Sequence, residues 1–447
     1  MSAKGLFGTS GIRGPADTLF TEQFCFDIGR TFVQFLKNHK LLGPIAIGMD
    51  PRESSPRIKT QVLKGLGVDG QELFDEGVTP IPSMNWLIKS TPIVAGIMVT
   101  GSHIAADLNG VKFYAHEEEI SFDDQKEIEE IYHRIKGKEK PTDKEPEVHL
   151  ESRAKRLYTE LLLKLAQKPY RKWKVGLDTA NGSQSVVIPD LLKNLGLEVV
   201  QINCDPQKNF IARDTDTDDK AELGSLKEAV KKEKCDFGIA FDGDGDRVVF
   251  IDEDGNFVQG EYSCGLVAKN SPGEMIVVPI SASQVVDKLG KKIERTKVGS
   301  PYVVGRMKET NALFGFESNG GAVSAEIMYT RDGGTMAIKL LNLFSQFDGK
   351  FSQFIGQLPK FYMFRTKIDY EWEEEKKILD KVKKEFKGIK IDDRDGLKIW
   401  KDATTWMLFR SSQNAPEFRV FAESDSQDKA KRLLADGIAF VKKNARS

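Results

Sequence analysis

Short apolar runs alternate with charged, amphipathic stretches along most of the 447-residue chain. The apolar runs have the length and composition of buried strands, and they include residues 44–49, 93–99, 174–178, 237–241, 275–280 and 312–316. The amphipathic stretches favour helices over residues 21–40, 122–136, 150–168 and 221–233. Strands that alternate with helices in this way predict α/β domains with largely parallel or mixed sheets.

Three breaks in this pattern predict the domain boundaries. Residues 136–149 are charged and contain two prolines, which is typical of a linker. Residues 252–260 have the pattern of a strand, a turn and a second strand, and the composition shifts at 359–377, before a charged helix, short strands and a final helix. We therefore expect four units of ordinary domain size, over residues 1–145, 150–254, 255–362 and 366–447.

The composition is that of an ordinary globular protein, and it excludes some partners. The chain is 40% hydrophobic and 30% charged with a net charge of −1, so it lacks the basic excess that nucleic-acid binding usually requires. No apolar run approaches the length of a membrane span, and the first residues do not resemble a signal peptide. We expect a cytoplasmic protein with no membrane partner. The four cysteines lie far apart and suggest neither a disulfide framework nor a zinc site.

The strongest chemical signal is the sequence DGDGDR at 242–247, directly after an apolar run. Asp242, Asp244 and Asp246 alternate with glycines that let the backbone curl, so their carboxylates can converge on a hard cation such as Mg²⁺ or Ca²⁺. An EF-hand is excluded because Arg247 stands at the loop position that requires glycine. The remaining alternative is a solvated acidic turn, in which three carboxylates would repel one another without a cation.

A second loop, TGSHIAADLNGVK at 100–112, follows the apolar run at 93–99. Mg²⁺ usually takes a phosphate oxygen in addition to protein ligands, and a phosphorylated Ser102 would supply one. Ser102 and His103 are expected to diverge as neighbours on extended backbone, and no G-x-S-x-G elbow surrounds the serine, so a serine hydrolase is disfavoured. Taken alone, the stretch also fits a polar turn with an incidental histidine.

Three further segments carry groups that suit sugar hydroxyls or phosphates. GFESNGG at 315–321 places a carboxylate, a hydroxyl and an amide between glycines, a set that can hydrogen-bond sugar hydroxyls. FRSSQNAPEFR at 409–419 brings a guanidinium, hydroxyls and amides into one turn, which suits phosphate. FGTSGIRG at 7–14 offers Arg13 in a flexible loop. The alternatives are a helix-capping turn and a polar hairpin, but loops that follow strands lie where α/β sheets bind ligands.

These five stretches, in this order along the whole chain, resemble the motifs of the α-D-phosphohexomutase family. FGTSGIRG is similar to the family's opening motif, TGSHIAADLNGVK to its phosphoserine loop and DGDGDR to its metal loop. GFESNGG is similar to its sugar-recognition loop and RSSQNAPEFRV to its phosphate loop. The resemblance implies four domains around a central cleft, namely three related α/β units with mixed sheets and a smaller α+β domain at the C-terminus.

The resemblance also implies an activity and assigns roles to residues. The enzyme would be an isomerase that interconverts hexose 1-phosphate and hexose 6-phosphate through a phosphoserine and a 1,6-bisphosphate intermediate. The serine would carry the phosphoryl group, the histidine and lysine would assist proton transfer and two arginines would flank the phosphoserine. These catalytic residues would be Ser102, His103, Lys112, Arg13 and Arg247. One Mg²⁺ ion would be bound by Ser102, Asp242, Asp244 and Asp246. The substrate would be bound by Lys297, Glu317, Ser318, Asn319, Arg410, Ser412, Gln413, Asn414 and Arg419.

The chain departs from the family pattern in three places. Ile104-Ala105-Ala106 replaces the usual Asn-Pro-Pro after the histidine, which removes rigidity and one amide from the serine loop. Gln413-Asn414-Ala415 replaces the usual Gly-Thr-Glu of the phosphate loop, where asparagine can still donate to phosphate. Residues 211–219 lack the expected proline-rich stretch. None of these changes removes the serine, the three aspartates or Lys112.

The resemblance favours mannose and glucose phosphates as substrates. TSGIRG and ESNGG are more typical of phosphomannomutases and phosphoglucomutases than of phosphoglucosamine mutases, which stay the alternative. A sugar-phosphate-binding protein without turnover and a Mg²⁺-dependent phosphatase are two other classes, although a pure binder has no use for a phosphate carrier. The expected ligands are hexose phosphates, with a hexose 1,6-bisphosphate as activator, and the chain is expected to be a monomer or a homodimer.

Overall fold

The computed structural model describes residues 5–8, 10–141, 144–215, 220–412 and 417–445. Contacts between residues divide the chain into two compact units. Unit 1 consists of residues 1–267 and 319–355, and unit 2 consists of residues 268–318 and 356–447.

Unit 1 begins with a mixed sheet. Its strands are β1 (Ile12–Pro15), β2 (Ile45–Met49), β3 (Leu73–Val78), β4 (Ala95–Val99), β5 (Leu108–Ala115), β6 (Glu118–Glu119) and β7 (Val148–Leu150). The order across the sheet is β1-β5-β4-β2-β3-β7, with β6 paired to β5. Strands β4, β2, β3 and β7 run parallel, whereas β5 is antiparallel to β4 and to β1. The loop from β4 to β5 contains Ser102.

Helices cover both faces of this first sheet. They are α1 (Glu22–Asn38), α2 (Ser55–Leu66), α3 (Ile81–Ser90), α4 (Phe122–Ile135) and α5 (Arg153–Leu165). Ile97 and Val99 of β4 pack with side chains of α1, α2 and α4, while Met98 packs in a second apolar cluster with Met84 of α3. A strand that is apolar on both faces is typical of a sheet covered by two layers of helices. Strand β4 is therefore a fixed support for the loop that follows it.

A second mixed sheet follows in unit 1. It contains β8 (Lys174–Asp178), β9 (Glu198–Ile202), β10 (Phe237–Phe241), β11 (Val248–Asp252) and β12 (Phe257–Val258), with helices α6 (Ile188–Asn194) and α7 (Lys220–Lys232) between strands. The order is β12-β11-β10-β8-β9, in which β9, β8 and β10 run parallel and β11 is antiparallel to β10. The DGDGDR loop joins β10 to β11. It thus occupies the same place in its sheet that the serine loop occupies in the first one.

The chain then contributes elements to both units. In order, these are α8 (Gly260–Asn270), β13 (Met275–Pro279), β14 (Lys292–Thr296), α9 (Ser300–Thr310), β15 (Phe314–Phe316), β16 (Ala322–Ser324), β17 (Met328–Arg331), α10 (Gly333–Ser345) and α11 (Phe351–Ile355). In unit 2, β13 pairs in parallel with β14 and with β15. In unit 1, β16 and β17 form an antiparallel pair.

The C-terminal part of unit 2 is an antiparallel sheet covered by helices. Its elements are β18 (Tyr362–Asp369), α12 (Glu375–Glu385), β19 (Lys390–Asp392), β20 (Leu397–Asp402), β21 (Thr405–Ser411), β22 (Glu417–Ser424) and α13 (Gln427–Ala445). The order β18-β22-β21-β20-β19 is antiparallel at every pairing. The segregation of helices and strands in this region is that of an α+β domain.

The α/β class and the strands and helices predicted from the apolar pattern are confirmed. Each of the six apolar runs contains a strand, and each of the four amphipathic stretches contains a helix. One expectation was wrong, because Arg13 lies in β1 rather than in a flexible loop. The predicted linker at 136–149 has no helix or strand among its described residues before 148, and its last two residues begin β7, which pairs in parallel with β3. The division into domains at the stated boundaries stays a prediction. Among the described residues, no helix has the length and apolarity of a membrane span.

Helices α1 and α2 cross at two glycines, Gly29 and Gly65, and this contact leads to a testable prediction. A Cβ atom on Gly65 would lie 2.1 Å from the carbonyl oxygen of Phe26, and one on Gly29 would lie 2.4 Å from that of Val62. We expect Gly65→Ala to lower the thermal unfolding midpoint, because overpacking against backbone costs about 1–3 kcal/mol and outweighs the helix propensity of alanine. Gly224→Ala in α7 is the control, since no atom of the part of the chain that the structure describes lies within 4 Å of its Cβ position, and we expect no loss of stability there. Equal melting of both variants would contradict the prediction.

Candidate active site

The serine loop leaves the sheet through an unusual backbone conformation. Ser102 has a φ of +57°, in the left-handed region, and its side chain is fully buried. Its backbone N–H donates to Thr100 Oγ1 at 2.8 Å. Because the backbone is not extended here, the expected divergence of Ser102 and His103 was wrong, and Ser102 Oγ lies 3.4 Å from His103 Nδ1.

The metal loop brings its three carboxylates together, as the spacing predicted. Oxygen atoms of Asp242, Asp244 and Asp246 all lie within 4.8 Å of one another, and all three side chains are buried. Gly245 has a φ of +74°, which glycine adopts without strain and which turns the chain back on itself. The loop is also held from outside, because the N–H of Ile81 at the start of α3 donates to the Asp244 carbonyl at 3.1 Å.

The serine hydroxyl lies directly at the acidic group. Ser102 Oγ donates to Asp244 Oδ1 at 3.0 Å and lies 3.3 Å from Asp242 Oδ2. The two loops come from different sheets and are separated by about 140 positions in sequence, so this contact is a product of the tertiary fold. A hydroxyl is thereby held where a phosphoryl group on it would be adjacent to the three carboxylates.

Basic side chains surround the carboxylates. Lys112, on β5, donates to Asp244 Oδ2 at 2.9 Å, and its Nζ lies 3.9 Å from Asp246 Oδ2. Arg247 Nε lies 3.7 Å from Asp242 Oδ2 and 3.6 Å from Asp246 Oδ1. Arg331, at the end of β17, is closer still, with its guanidinium 2.6 Å from Asp246 Oδ2. All of these side chains are buried, so their charges are weakly screened.

Burial and neighbouring charges shift the pKa values of Asp242 and Asp244 in opposite directions. Burial, followed by repulsion from Asp244 and Asp246, raises the pKa of Asp242 well above its ordinary value. Burial also acts to raise the pKa of Asp244, but the Lys112 ammonium outweighs it and holds that pKa below its usual range. Burial, with Arg247 and Arg13 adding to it, holds the pKa of His103 well below its ordinary value, so the imidazole is neutral at neutral pH.

Unsatisfied polar atoms indicate what the site accommodates. Arg13 Nε, Arg247 Nε and Asp246 Oδ1 are buried without a hydrogen-bond partner among the described residues. Buried polar groups are normally satisfied, so such atoms call for an explanation. A carboxylate oxygen without a donor suits a cation, and guanidinium N–H groups without an acceptor suit an anion. The residues present therefore fit a divalent cation and a phosphoryl group at adjacent positions.

The predicted substrate residues are divided between the units. Asn319 belongs to unit 1, where its carbonyl accepts from Thr215 Oγ1 at 2.7 Å. The others that the structure describes belong to unit 2, and they are Lys297, Glu317, Ser318, Arg410, Ser412 and Arg419. Gln413 and Asn414 lie outside the described residues.

Within unit 2, an aspartate links two of the predicted substrate segments. Asp395 Oδ2 accepts from the N–H of Val298, the residue after Lys297, at 2.9 Å, and from Arg410 Nε at 3.1 Å. Arg410 faces Arg419 across the β21–β22 pair. Burial lowers the pKa of Arg410. Arg410 and Arg419 are therefore adjacent, each with a carboxylate partner, Asp395 and Glu417 respectively, and guanidinium groups are suited to phosphate.

Sequence reasoning missed several residues that hold the site. No local sequence motif marks Arg331 or Asp395. Their roles are seen only from the residues they contact, which lie far away in the sequence. Asp50 and Arg52, in MDPRES after β2, could have been found because they too follow an apolar strand. Arg213 lies in the segment without the expected prolines, and it donates to the carbonyl of Phe241, directly before the metal loop, at 3.0 Å.

Family profiles match most of the chain. They are described as "Phosphoglucomutase/phosphomannomutase, alpha/beta/alpha" domain I, domain II and domain III, and they match residues 4–139, 155–255 and 260–362. The sheet at 362–424 lies beyond the third match. The chain therefore has the three α/β domains of this family and a further C-terminal domain, as the four-domain expectation required.

Individual relatives cover nearly the whole chain. A "Phosphoglucomutase/phosphomannomutase" of Thermococcus kodakarensis is 34% identical over 98% of both chains. A "Probable phosphoglucosamine mutase" of Thermococcus gammatolerans is 30% identical over 98% of this chain and 99% of its own. The fold is shared with a solved structure of "Aspergillus fumigatus N-acetylphosphoglucosamine mutase in complex with GlcNAc-6P and magnesium", with a TM-score of 0.65, 12% identity and coverage of 98% and 96%. The chain belongs to the α-D-phosphohexomutase family, whose members are isomerases of the mutase type.

Proposed function

We propose that this phosphohexomutase interconverts the 1-phosphates and 6-phosphates of mannose and glucose, with Ser102 as the phosphoryl carrier. The observation that carries this proposal is the position of the Ser102 hydroxyl, 3.0 Å from Asp244 and next to a set of buried arginines. A hydroxyl among buried carboxylates and cations suits a phosphoryl group that is taken up and released at that oxygen.

Asp242, Asp244 and Asp246 would hold one Mg²⁺ ion together with an oxygen of phosphorylated Ser102. Three carboxylates supply hard oxygen ligands, and Mg²⁺ typically takes a phosphate oxygen as well. When bound, the ion would neutralise negative charge on the phosphoryl oxygens. The orphaned Asp246 Oδ1 and the raised pKa of Asp242 support this assignment, since both are expected of ligands that lack their cation.

The chain's own residues would supply the rest of the chemistry. Arg13 and Arg247 would bind the equatorial oxygens of the transferred group, which carry most of its charge in the transition state. Lys112 Nζ, between Asp244 and Asp246, would give or accept the proton of the reacting sugar hydroxyl. His103 is neutral, so its Nδ1 can accept a proton at the serine oxygen. Phosphoryl transfer depends mainly on such positioning and charge neutralisation.

A substrate with two ends requires contacts at both. Phosphoserine 102 would donate to the free hydroxyl and form a hexose 1,6-bisphosphate, which turns over and returns its other phosphate to the serine. Glu317, Ser318, Asn319 and Lys297 would bind the sugar. The distal phosphate would be bound by residues of the β21–β22 hairpin, namely Arg410, Ser412, Gln413, Asn414 and Arg419. The adjacency of Arg410 and Arg419 in the β21–β22 pair supports this part of the proposal.

The choice of mannose and glucose rests on the TSGIRG and ESNGG motifs and on the 34% identical relative. Relatives called phosphoglucosamine mutases, at 30% identity, favour glucosamine phosphate as the second candidate. The test is a coupled assay of the purified protein with the 1-phosphates of mannose, glucose and glucosamine, each with Mg²⁺ and a trace of the matching 1,6-bisphosphate. We expect turnover of the first two and weak turnover of the third. Preference for glucosamine 1-phosphate would overturn the sugar assignment.

Two measurements on the same purified protein distinguish a mutase from the other two classes, a phosphatase and a binding protein. A phosphatase would release inorganic phosphate in proportion to substrate consumed, whereas the mutase is expected to release almost none. A binding protein without turnover would show no added phosphate in its intact mass after incubation with glucose 1,6-bisphosphate. Either result would replace the proposed function.

A further inference from the structure

Arg52 is fully buried beneath the serine loop, and all five of its guanidinium N–H groups have partners. Its Nε donates to Asp50 Oδ2 at 3.0 Å. One terminal nitrogen donates to the carbonyls of Ser102 and Ile104, at 2.8 and 2.7 Å. The other donates to the carbonyls of Ala105 and Leu108, at 2.5 and 3.0 Å. A guanidinium has five donors in a fixed plane, so no other side chain can make this set of bonds.

The serine loop needs such support because its backbone conformation is unfavourable in free energy. A non-glycine residue with positive φ, such as Ser102, costs on the order of 1–3 kcal/mol and persists only when its surroundings fix it. The loop also has no proline in Ile104-Ala105-Ala106, so its own backbone provides little stiffness. Arg52 bonds two of the three carbonyls in this stretch directly.

The arginine is itself fixed on every side. Asp50, its partner, also accepts from Thr100 Oγ1 at 2.8 Å, and that hydroxyl in turn accepts from the N–H of Ser102. The face of the guanidinium lies 4.1 Å from the centre of the Phe210 ring, which comes from the second sheet's domain. A Cβ atom on Gly101 would lie 2.9 Å from Arg52 Cζ, so glycine leaves the room that this approach needs.

We propose that Arg52 is a positioning residue that holds Ser102 Oγ in line for phosphoryl transfer, through the four loop carbonyls. The proposal rests on the proposed function of Ser102 as phosphoryl carrier. The hydrogen bonds from Arg52 to this segment all go to backbone carbonyls and not to Ser102 Oγ, so Arg52 would act through the backbone. Loss of the clamp would displace the hydroxyl relative to Asp244 and Lys112, and displacements near 1 Å can cost about 10²-fold in rate.

The test compares Arg52→Lys with a matched control, Arg57→Met. Lysine keeps the positive charge beside Asp50 but has its three donors on one atom, so it cannot reach four carbonyls. Arg57 also donates to backbone carbonyls, those of Phe20 and Ala16 at 2.8 and 2.9 Å, but outside the serine loop. Each protein is incubated with glucose 1,6-bisphosphate and Mg²⁺, and the rate of phosphate uptake is followed by intact mass. The values of kcat and KM and the thermal midpoint are measured alongside.

We expect Arg52→Lys to take up phosphate and turn over about 10²-fold more slowly than the unmodified protein, with KM changed less than about twofold. Arg57→Met is expected to lose only stability. If Arg52→Lys melts earlier but matches the unmodified protein in both rates, the role of Arg52 is structural and the proposal is overturned. If the unmodified protein takes up no phosphate, the carrier role of Ser102 fails first, and the proposal fails with it.

Discussion

Replacing Ser102 with alanine is expected to remove mutase activity, by at least about 10³-fold, while the protein stays folded. The hydroxyl would be the only group that receives the phosphoryl group in the proposed reaction, so its loss leaves no covalent route. The change deletes one oxygen in a buried pocket and removes its hydrogen bonds to Asp244 and Asp242 and its contact with His103 Nδ1. The coupled assay measures the activity, and intact mass after incubation with glucose 1,6-bisphosphate measures the phosphate.

Ser90→Ala is the matched control for this prediction. Its hydroxyl is exposed at the end of α3 and donates only within the helix, to the carbonyl of Trp86 at 2.5 Å. The control is expected to keep full activity and to gain one phosphate per chain, whereas Ser102→Ala gains none. Phosphate on the Ser102→Ala protein would show that another residue is the carrier.

Asp246→Asn is expected to weaken binding of the divalent cation by more than about 100-fold. Losing a residue that only supports a metal ligand weakens binding by up to about 100-fold, and Asp246 would itself be a ligand. Asp246 Oδ2 is bound by Arg331, while Oδ1 is buried without a hydrogen-bond partner among the described residues. Arg247 Nε, at 3.6 Å, is too far away to form a hydrogen bond with Oδ1, so Oδ1 is the oxygen that would face the cation. Asparagine keeps the shape but loses the charge, and it leaves Arg331 without its anion.

Titration with Mn²⁺, followed by electron paramagnetic resonance, measures this affinity without any substrate. Asp252→Asn is the control, because Asp252 lies at the far end of β11 and accepts from the N–H groups of Asp254 and Asn256 in a turn. An amide oxygen can accept both of these bonds, and only the bond from Asn256 Nδ2 to Asp252 Oδ2 is lost, so cation binding is expected to stay unchanged. Equal affinity in Asp246→Asn and the unmodified protein would contradict the metal assignment.

The acidic site could be predicted from the sequence because its geometry is local. Alternating aspartates and glycines within six positions leave few arrangements other than converging carboxylates, and the structure has them within 4.8 Å. The strands could be predicted equally well, since β4 and β10 are buried on both faces and are apolar throughout. These features could be predicted because neighbouring residues in the sequence and the burial of the strands determine them.

The supports of the site could not be predicted in this way. Arg331 lies 85 positions after Asp246, and its role depends on how β17 meets the metal loop. The five partners of Arg52 are mostly backbone carbonyls, which have no signature in the sequence at all. The conformation of Ser102 was mistaken for extended backbone because serine gives no local sign of a positive φ. Here tertiary contacts override the local preference.

The serine loop and the metal loop each join the last parallel strand of a sheet to its antiparallel neighbour, and this has a consequence for assembly. Under the proposed function neither sheet alone would contain the reaction centre, since one contributes the hydroxyl and the other the carboxylates. Chemical competence would therefore begin only when the two sheets of unit 1 have packed against each other. Uptake of phosphate by Ser102 during refolding would then report that this packing is complete.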